Sequence, residues 1–310
     1  MAILHNNVVP AIAAAAVDKD YSLITRGIWA GGKGTIDTTG LTIDYITIQT
    51  LGNATDFGDL TEGTNWCCGL ADATRGCVIA GVDTSGSWMT KIDYITIATT
   101  GNAADFGDIN FVSGLNAGLA DATRGVFGGG AGHSAMRLSL EYITIQTTGN
   151  SIDFGDLSVS RGGYIAPMAD ATRGCFAGGS ASTVDTIDYI TIATTGNATD
   201  FGNMLASTRM SAGLANATRG IMAGGISSSI RIDTIQYITI QTLGNATDFG
   251  DLIKGRSRVP GLADATRGCI AGTENTDITI DYITIQTTGN AADFGDLSDG
   301  RDDMAGFAGS

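Results

Sequence analysis

Three short phrases recur along this chain, each six times and always in the same order. Tyr-Ile-Thr-Ile begins at Tyr45, Tyr94, Tyr142, Tyr189, Tyr237 and Tyr282. Thr-Arg-Gly is centred on Arg26, Arg75, Arg124, Arg173, Arg219 and Arg267. Asp-Phe-Gly is centred on Phe57, Phe106, Phe154, Phe201, Phe249 and Phe294. Self-similarity at a fixed period of roughly 20–50 residues indicates a repeat architecture. No linker interrupts the repeats, so we predict one domain over residues 20–310, preceded by an N-terminal arm of residues 1–19.

One complete unit indicates which structure the repeat forms. Its sequence predicts four strands, over residues 210–215, 219–223, 234–242 and 247–252. The third is rich in β-branched residues and Tyr, which favour strands. Leu243-Gly244-Asn245 predicts a tight two-residue hairpin turn before the fourth strand, because Gly adopts positive φ without steric cost. Four antiparallel strands per unit are typical of a propeller blade. We therefore predict an all-β fold, a six-bladed β-propeller with four-stranded antiparallel blades.

The two ends of the chain complement each other. The repeats open with Thr25, at the second strand of a blade, whereas residues 304–309 resemble a first strand and have no second strand after them. We expect the C-terminal strand to pair beside residues 25–31, so that both termini complete one blade. This closure removes open strand edges, which promote aggregation.

Composition excludes several classes of partner. The formal net charge of −15 argues against a nucleic-acid surface, which needs clustered Lys and Arg. No run is as long as the 18 or so apolar residues of a membrane span, so we expect no membrane insertion. The N-terminus lacks a charged region leading into an apolar one, and we therefore predict no signal peptide. The 45 glycines, three prolines and 16% charged residues suit short strands joined by turns.

The repeats resemble those of kelch-type propellers. A double glycine ends the second strand at Gly31-Gly32, Gly129-Gly130, Gly178-Gly179 and Gly224-Gly225. A downstream Tyr, a further aromatic and an Arg before the first strand (Arg161, Arg209 and Arg301) also match, although two repeats have Ala-Gly and Phe replaces the usual Trp. The uniform repeats also resemble kelch-like repeats in tail-fibre and capsid-associated proteins of marine tailed bacteriophages. That second resemblance implies a virion protein.

No set of residues predicts a catalytic site, a metal site or a cofactor. Asp-Phe-Gly occurs without the phosphate-binding loop or catalytic loop of a kinase, which favours a structural role. The two histidines, His5 and His133, are too few and too far apart for a zinc or copper site. Cys77, Cys175 and Cys269 share a repeat position that Ile28, Val126 and Ile221 fill elsewhere, which predicts a buried apolar site. We therefore predict that the protein is not an enzyme.

The six Thr-Arg-Gly arginines have two interpretations. They could form a basic ring for an anionic ligand. Alternatively they are structural, each held by a carboxylate such as the Asp of Asp-Phe-Gly or by carbonyls of the neighbouring blade. We favour the structural ring.

Sequence divergence concentrates in one set of loops. In a kelch-like blade the first–second and third–fourth strand connections share one face, and here they hardly vary. The other face carries the second–third and fourth–first connections, which differ in every blade. Internal divergence on a rigid scaffold is typical of a recognition surface, although relaxed drift gives the same pattern. Candidate binding residues on this variable face are Trp66, Trp88, Phe111, His133, Met136, Arg137, Tyr164, Met204, Arg231, Arg256 and Arg258.

The leading functional hypothesis is a non-enzymatic virion structural or adhesion protein, a tail-fibre tip or a capsid-attached knob. Its partners would be other virion proteins, a host surface receptor or a glycan, and a homo-oligomer is left open. The alternative is a carbohydrate-binding, lectin-like propeller, and a weaker one is a glycan-active enzyme. Localisation would be the virion, after synthesis in the host cytoplasm. Because the arm is too apolar for a solvated tail, we expect it either to lie along the outside of the disc or to dock to a partner, and we favour docking. Its docking residues are Ile3, Leu4, Val8, Val9 and Ile12.

Overall fold

The fold is a ring of six blades, each a sheet of four antiparallel strands. The structure is a computed structural model that describes residues 19–34, 38–79, 81–132, 137–180, 184–273 and 277–310. Blade 1 contains both ends of the repeat region, and blades 2 to 6 follow in chain order. The inner strands of neighbouring blades contact one another around the whole ring, so they surround a central channel. The predicted six-bladed β-propeller is confirmed.

The four strands of a blade run from the channel to the rim, and each set below runs from blade 1 to blade 6. The inner strands are Ala305–Gly309, Cys68–Ala71, Ala117–Ala120, Ala166–Ala169, Ala212–Ala215 and Gly261–Ala263. The second strands are Arg26–Ala30, Arg75–Ile79, Arg124–Gly128, Arg173–Ala177, Arg219–Ala223 and Arg267–Ala271. The third strands are Thr42–Thr47, Lys91–Thr96, Arg137–Thr144, Thr186–Thr191, Thr234–Thr239 and Thr279–Thr284. The outer strands are Thr55–Asp59, Ala104–Asp108, Ile152–Arg161, Thr199–Asn203, Thr247–Asp251 and Ala292–Asp296.

In the part of the chain that the structure describes, two short strand pairs and a 3-10 helix lie outside the blades. Lys33–Gly34 pairs with Arg301–Asp302, and Ile226–Ser227 pairs with Ile230–Arg231. A 3-10 helix spans Tyr21–Leu23 and begins at Asp20, whose side chain accepts a hydrogen bond from the backbone N–H of Ser22. Among the described residues, no helix is long and apolar enough to cross a membrane.

Both chain ends close the ring in blade 1, as the sequence predicts. The C-terminal strand Ala305–Gly309 pairs antiparallel with Arg26–Ala30, from Arg26 opposite Gly309 to Ala30 opposite Ala305. Thr25 extends the pairing by donating its backbone N–H to the Gly309 carbonyl at 3.0 Å. The last sheet edge that a linear series of blades would leave open is therefore filled.

The core lies between blades. The buried apolar side chains of the described residues form six clusters, each shared by two adjacent blades. Polar and apolar residues alternate poorly along the third strand of the repeat. Burial on both sides explains this, because Ile43 and Asp44 lie on opposite faces of the strand and both are fully buried. Cys77, Cys175 and Cys269 are also fully buried, as expected, and burial raises the pKa of the Cys77 and Cys175 thiols to about 12.

The predicted tight turn at residues 243–245 is wrong. The third strand ends at Thr239 rather than residue 242, and the turn comes at once, because Thr242 donates its N–H to the Thr239 carbonyl. Residues 244–246 then lie along the outer strand of the preceding blade. The N–H groups of Gly244 and Ala246 donate to the Phe201 and Asn203 carbonyls at 3.0 and 2.8 Å.

This contact recurs at every blade junction. At the junction of blades 1 and 2, Gly101 donates its N–H to the Phe57 carbonyl at 2.8 Å. The Asn102 side chain accepts the N–H of Asp59 at 3.1 Å. The Gly-Asn segment of each blade therefore covers the exposed edge of its neighbour's outer strand, which is the edge most prone to unwanted pairing. This explains why the segment hardly varies between repeats.

The Thr-Arg-Gly arginines join adjacent blades through carbonyls, which is one of the two structural interpretations. Arg173 donates to the Ile240 carbonyl of the next blade at 2.9 Å, and its guanidinium lies 4.5 Å from the ring centre of Tyr189. The other five arginines make the same carbonyl contact, at 2.9–3.1 Å. The following glycine is equally constrained, because a Cβ on Gly76 would lie 2.0 Å from Phe307 of blade 1.

A second set of arginines is fully buried between blades. Arg161 contacts Asp188 at 3.0 Å, Arg256 contacts Asp281 at 2.8 Å, and Arg301 contacts Asp44 at 2.6 Å. The kelch-like pattern placed Arg209 in this set, and that assignment is wrong. The backbone shows the equivalence, because the Thr208 and Arg256 carbonyls both accept the N–H of the second glycine in a Gly-Gly pair. Thr208, not Arg209, therefore stands at this position in blade 5, and Arg256 stands at the equivalent position in blade 6.

Candidate recognition site at the channel mouth

The channel opens on the variable face through a ring of six residues, one from each blade. We call them the mouth ring: Trp66, Leu115, Tyr164, Met210, Arg258 and Asp303. All six have left-handed backbone, with φ between 56° and 63°. This conformation is uncommon outside glycine, so its repetition at one position of every blade reflects a shared constraint.

That constraint is a closed circle of hydrogen bonds. Each mouth-ring residue donates its backbone N–H to the carbonyl of the ring residue in the preceding blade, at 2.7–3.3 Å. The circle ends where it begins, because Trp66 donates to Asp303 at 3.1 Å. The backbone of the mouth is therefore six-fold symmetric and fixed, whereas its six side chains all differ. The mouth ring therefore presents six different side chains at equivalent backbone positions.

Four of the six mouth-ring side chains contact one another through polar or aromatic groups. Arg258 contacts Asp303 at 3.1 Å and Asp302 at 3.8 Å, and its guanidinium also lies 5.7 Å from the Tyr164 ring centre. The Trp66 indole donates a hydrogen bond to the Asp303 carboxylate. Leu115 and Met210 complete the ring. These contacts therefore link Trp66, Asp303, Arg258 and Tyr164, although Met210 stands between Arg258 and Tyr164 in the order of the ring.

Asp303 titrates near neutral pH. Burial raises its pKa to about 7, with a further contribution from the charge of Asp302. The Arg258 charge and the hydrogen bonds from Trp66 and Arg258 oppose this rise. The charge of the mouth therefore changes over the physiological pH range.

A second aromatic ring extends the site. Trp88, from the second–third connection of blade 2, lies with its ring centre 6.0 Å from that of Trp66, at an interplanar angle of 54°. Both tryptophans are only partly buried. The pair offers an aromatic surface beside the Asp303 carboxylate, on the side of the mouth away from Arg258.

The channel below the mouth is a cavity of about 180 Å³. Its far end, on the invariant face, is lined by Lys19, Tyr21 and Ile24. The Tyr21 hydroxyl donates to the Ala169 carbonyl at 2.6 Å, and Lys19 Nζ donates to the Ala71 carbonyl at 3.2 Å. Burial lowers the Lys19 pKa to about 8, against the opposing charges of Asp72 and Asp121. The segment that joins the arm to the propeller thus lies across the end of the channel.

The predicted site residues fall into four groups. Trp66, Tyr164 and Arg258 meet at the mouth, with Trp88 beside them. Phe111 is 45% exposed and Arg231 is exposed, and both lie farther out on the variable face. The expectation that Met204 and Arg256 present side chains to a ligand is wrong, because both are buried. Outside the described residues lie His133, Met136, Ile3, Leu4, Val8, Val9 and Ile12, together with the side chain of Arg137.

Sequence reasoning missed three of the six mouth-ring residues, namely Leu115, Met210 and Asp303. No residue type marks the position, because aromatic, aliphatic and charged side chains all occur there. The usable signal is spacing, since the ring residue stands two positions before the inner strand in blades 1 to 5, as in Leu115 before Ala117. A search for varied residues at a constant offset from an invariant strand would have found the ring.

Comparison with protein-family models and with curated proteins found no match for this chain. The fold therefore defines its class, which is a closed six-bladed β-propeller. Among the described residues, no three His, Cys, Asp or Glu side chains are grouped as a metal site would require.

Proposed function

We propose that this protein is a non-enzymatic binding protein of a virus particle, a tail-fibre tip or a capsid-attached knob, that holds its partner on the variable face. One observation carries the proposal. Six equivalent backbone positions around the mouth bear six different side chains, while the opposite face repeats the same residues from blade to blade. Fixed backbone with varied chemistry suits selective recognition.

The assignment to a virus particle rests on sequence. Gly-Asn-Ala-Thr-Asp-Phe-Gly-Asp, at residues 52–59 and 244–251, resembles kelch-like repeats of tail-fibre and capsid-associated proteins in marine tailed phages. The position of Lys19 is consistent with this role. Lys19 lies at the channel end on the invariant face, so the arm joins the propeller on the side opposite the mouth. A propeller attached through its arm would present the variable face outwards.

Cell binding tests the proposal. Fluorescently labelled full-length protein is incubated with a panel of marine bacterial strains and analysed by flow cytometry. We expect saturable binding to at least one strain, and at least a tenfold loss for the double variant Trp66→Leu/Tyr164→Leu. These substitutions introduce the side chain that Leu115 already carries at the equivalent position.

The matched control lies on the invariant face. Gln146→Ala introduces the residue that Ala98 and Ala193 supply at the same repeat position, and it should bind like the wild type. A chain lacking residues 1–18 should also keep cell binding. Binding to no strain, or equal losses in the mouth and control variants, would contradict the proposal.

Carbohydrate binding is the second candidate function, and the Trp66–Trp88 pair favours it. Aromatic faces beside hydrogen-bonding groups suit ligands that have both an apolar face and hydroxyls. A glycan array with wild-type protein and the Trp66→Leu variant separates this candidate from recognition of a protein partner. Mass spectrometry of glycans after incubation with the protein tests whether it is non-enzymatic, since a released cleavage product would show that the protein is an enzyme.

A further inference from the structure

In the part of the chain that the structure describes, the channel opens at the mouth ring and is crossed at its invariant end by the segment that contains Lys19 and Tyr21. Tyr21 donates its hydroxyl to the Ala169 carbonyl of blade 4, and Lys19 donates to the Ala71 carbonyl of blade 2. This segment obstructs a ligand chain that would thread through the disc. The volume of about 180 Å³ accommodates several water molecules or a single small ring, but not an extended chain.

The channel wall is suited to hydroxyl groups. Each inner strand is the edge strand of its sheet, so one side of its backbone is not hydrogen-bonded to a strand of that sheet. Two of these carbonyls already accept hydrogen bonds from the chain itself. The Tyr21 hydroxyl binds Ala169, and the Lys19 ammonium binds Ala71. A ligand hydroxyl would donate to the carbonyls of the other inner strands in the way that the Tyr21 hydroxyl donates to Ala169.

The charge of the mouth disfavours an anion. Arg258 faces two carboxylates, Asp303 at 3.1 Å and Asp302 at 3.8 Å, which leaves no excess positive charge. The whole chain carries a formal charge of −15, so long-range attraction also opposes an anionic ligand. Donors and acceptors in a near-neutral arrangement suit a neutral polyhydroxylated ligand.

We propose that this pocket binds one neutral terminal sugar residue of a surface glycan. This inference rests on the proposed function and names its ligand class. The sugar ring stacks on Trp66, and its hydroxyls bond to Asp303, to Arg258 and to the inner-strand carbonyls below. The obstructed invariant end of the channel restricts recognition to the end of a glycan chain.

Indole N–H signals give a direct test. The chain has three tryptophans: Trp66 in the mouth ring, Trp88 beside it, and Trp29, which is fully buried. Methyl glycosides of glucose, galactose, mannose and N-acetylglucosamine are titrated into full-length ¹⁵N-labelled protein, with sialic acid as the anionic comparison. We expect at least one neutral sugar to shift the Trp66 signal saturably at millimolar concentration, with no change at Trp29.

Matched variants locate the binding. Trp66→Leu and Tyr164→Leu should each weaken the best sugar at least tenfold, whereas Met210→Leu should change its affinity less than twofold. Two independent mouth variants keep the test meaningful if one fails to fold. The inference is overturned if no neutral sugar shifts Trp66, if sialic acid binds equally well, or if folded mouth variants bind like the wild type. Cell binding without sugar binding would overturn this inference alone and leave the proposed function standing.

Discussion

At the scale of single residues, the Thr-Arg-Gly arginine serves two blades at once. Its guanidinium lies over the Tyr of its own blade and donates to a carbonyl of the next. A planar guanidinium can make both contacts because its edge donates while its face lies over the ring. The sequence predicted an inter-blade role but left the partner open between a carboxylate and a carbonyl. The sequence could not distinguish these two partners, because every residue type has a backbone carbonyl.

Arg173→Ala should lower the free energy of unfolding by about 1–3 kcal/mol, because the Ile240 carbonyl loses its donor in a partly buried site. Urea denaturation measures the loss. Arg231→Ala is the control, since Arg231 is exposed and its hydrogen bond to Ser257 is long, at 3.3 Å. The control should stay within about 0.5 kcal/mol of the wild type. A stable Arg173→Ala protein that has lost partner binding would instead assign the arginine ring to recognition.

Asp303 couples stability to pH. Its pKa is about 7 in the folded protein, above the value of about 3.9 for an unfolded chain. A raised carboxyl pKa means that the folded state binds the proton more tightly, so this group adds stability as pH falls through 7 towards 4. Asp303→Asn removes that contribution, and Asn tolerates the left-handed backbone. The stability of wild type relative to Asp303→Asn should therefore be greater at pH 5 than at pH 8, as measured by urea denaturation at both values. An unchanged difference would show that Asp303 does not titrate in this range.

At the scale of elements, the repeat predicts strands better than connections. The second strand Arg219–Ala223 has the predicted bounds, because Thr-Arg-Gly and the double glycine mark both ends. The inner strand begins at Ala212 rather than residue 210, because Met210 is a left-handed residue of the mouth ring. The third–fourth connection was misread as a local hairpin, whereas its Gly-Asn segment pairs with a different blade. Local propensity cannot reveal a partner that lies in another blade.

The Gly-Asn contact explains the glycine of Asp-Phe-Gly and can be tested with a matched pair. Gly58 and Gly101 have φ of 146° and 155°, so alanine is strained at both. A Cβ on Gly58 would lie 2.5 Å from the Gly101 carbonyl oxygen, whereas a Cβ on Gly101 would have no atom within 4 Å. Gly58→Ala should therefore lower the free energy of unfolding by about 1–3 kcal/mol more than Gly101→Ala. Urea denaturation measures both, and equal losses would mean that backbone strain alone accounts for the glycine.

At the scale of the whole molecule, stability depends on closing the ring. Each inner strand places one large side chain against the Thr-Arg-Gly glycine of the next blade, as Leu70 does at Gly125. Blade 1 takes this side chain, Phe307, from the C-terminal strand, where it packs on Gly76 of blade 2. The junction of blades 1 and 2 is thus held by residues from both ends of the repeat region. The sequence predicted this closure because residues 304–309 matched a first strand that had no partner after them.

Deleting residues 304–310 should therefore open the ring. The deletion removes five strand pairs with Arg26–Ala30 and leaves the core between blades 1 and 2 exposed. We expect a lower melting temperature by calorimetry and loss of soluble protein, because an unpaired strand edge promotes aggregation. Two substitutions grade the effect while keeping the strand. Phe307→Ala should cost about 3–5 kcal/mol, since Phe307 is only 5% exposed. Phe307→Leu should cost less than about 1.5 kcal/mol, because Leu70, Leu119, Leu214 and Leu262 fill this position in other blades. A truncated chain with unchanged melting temperature and solubility would exclude closure by the C-terminal strand.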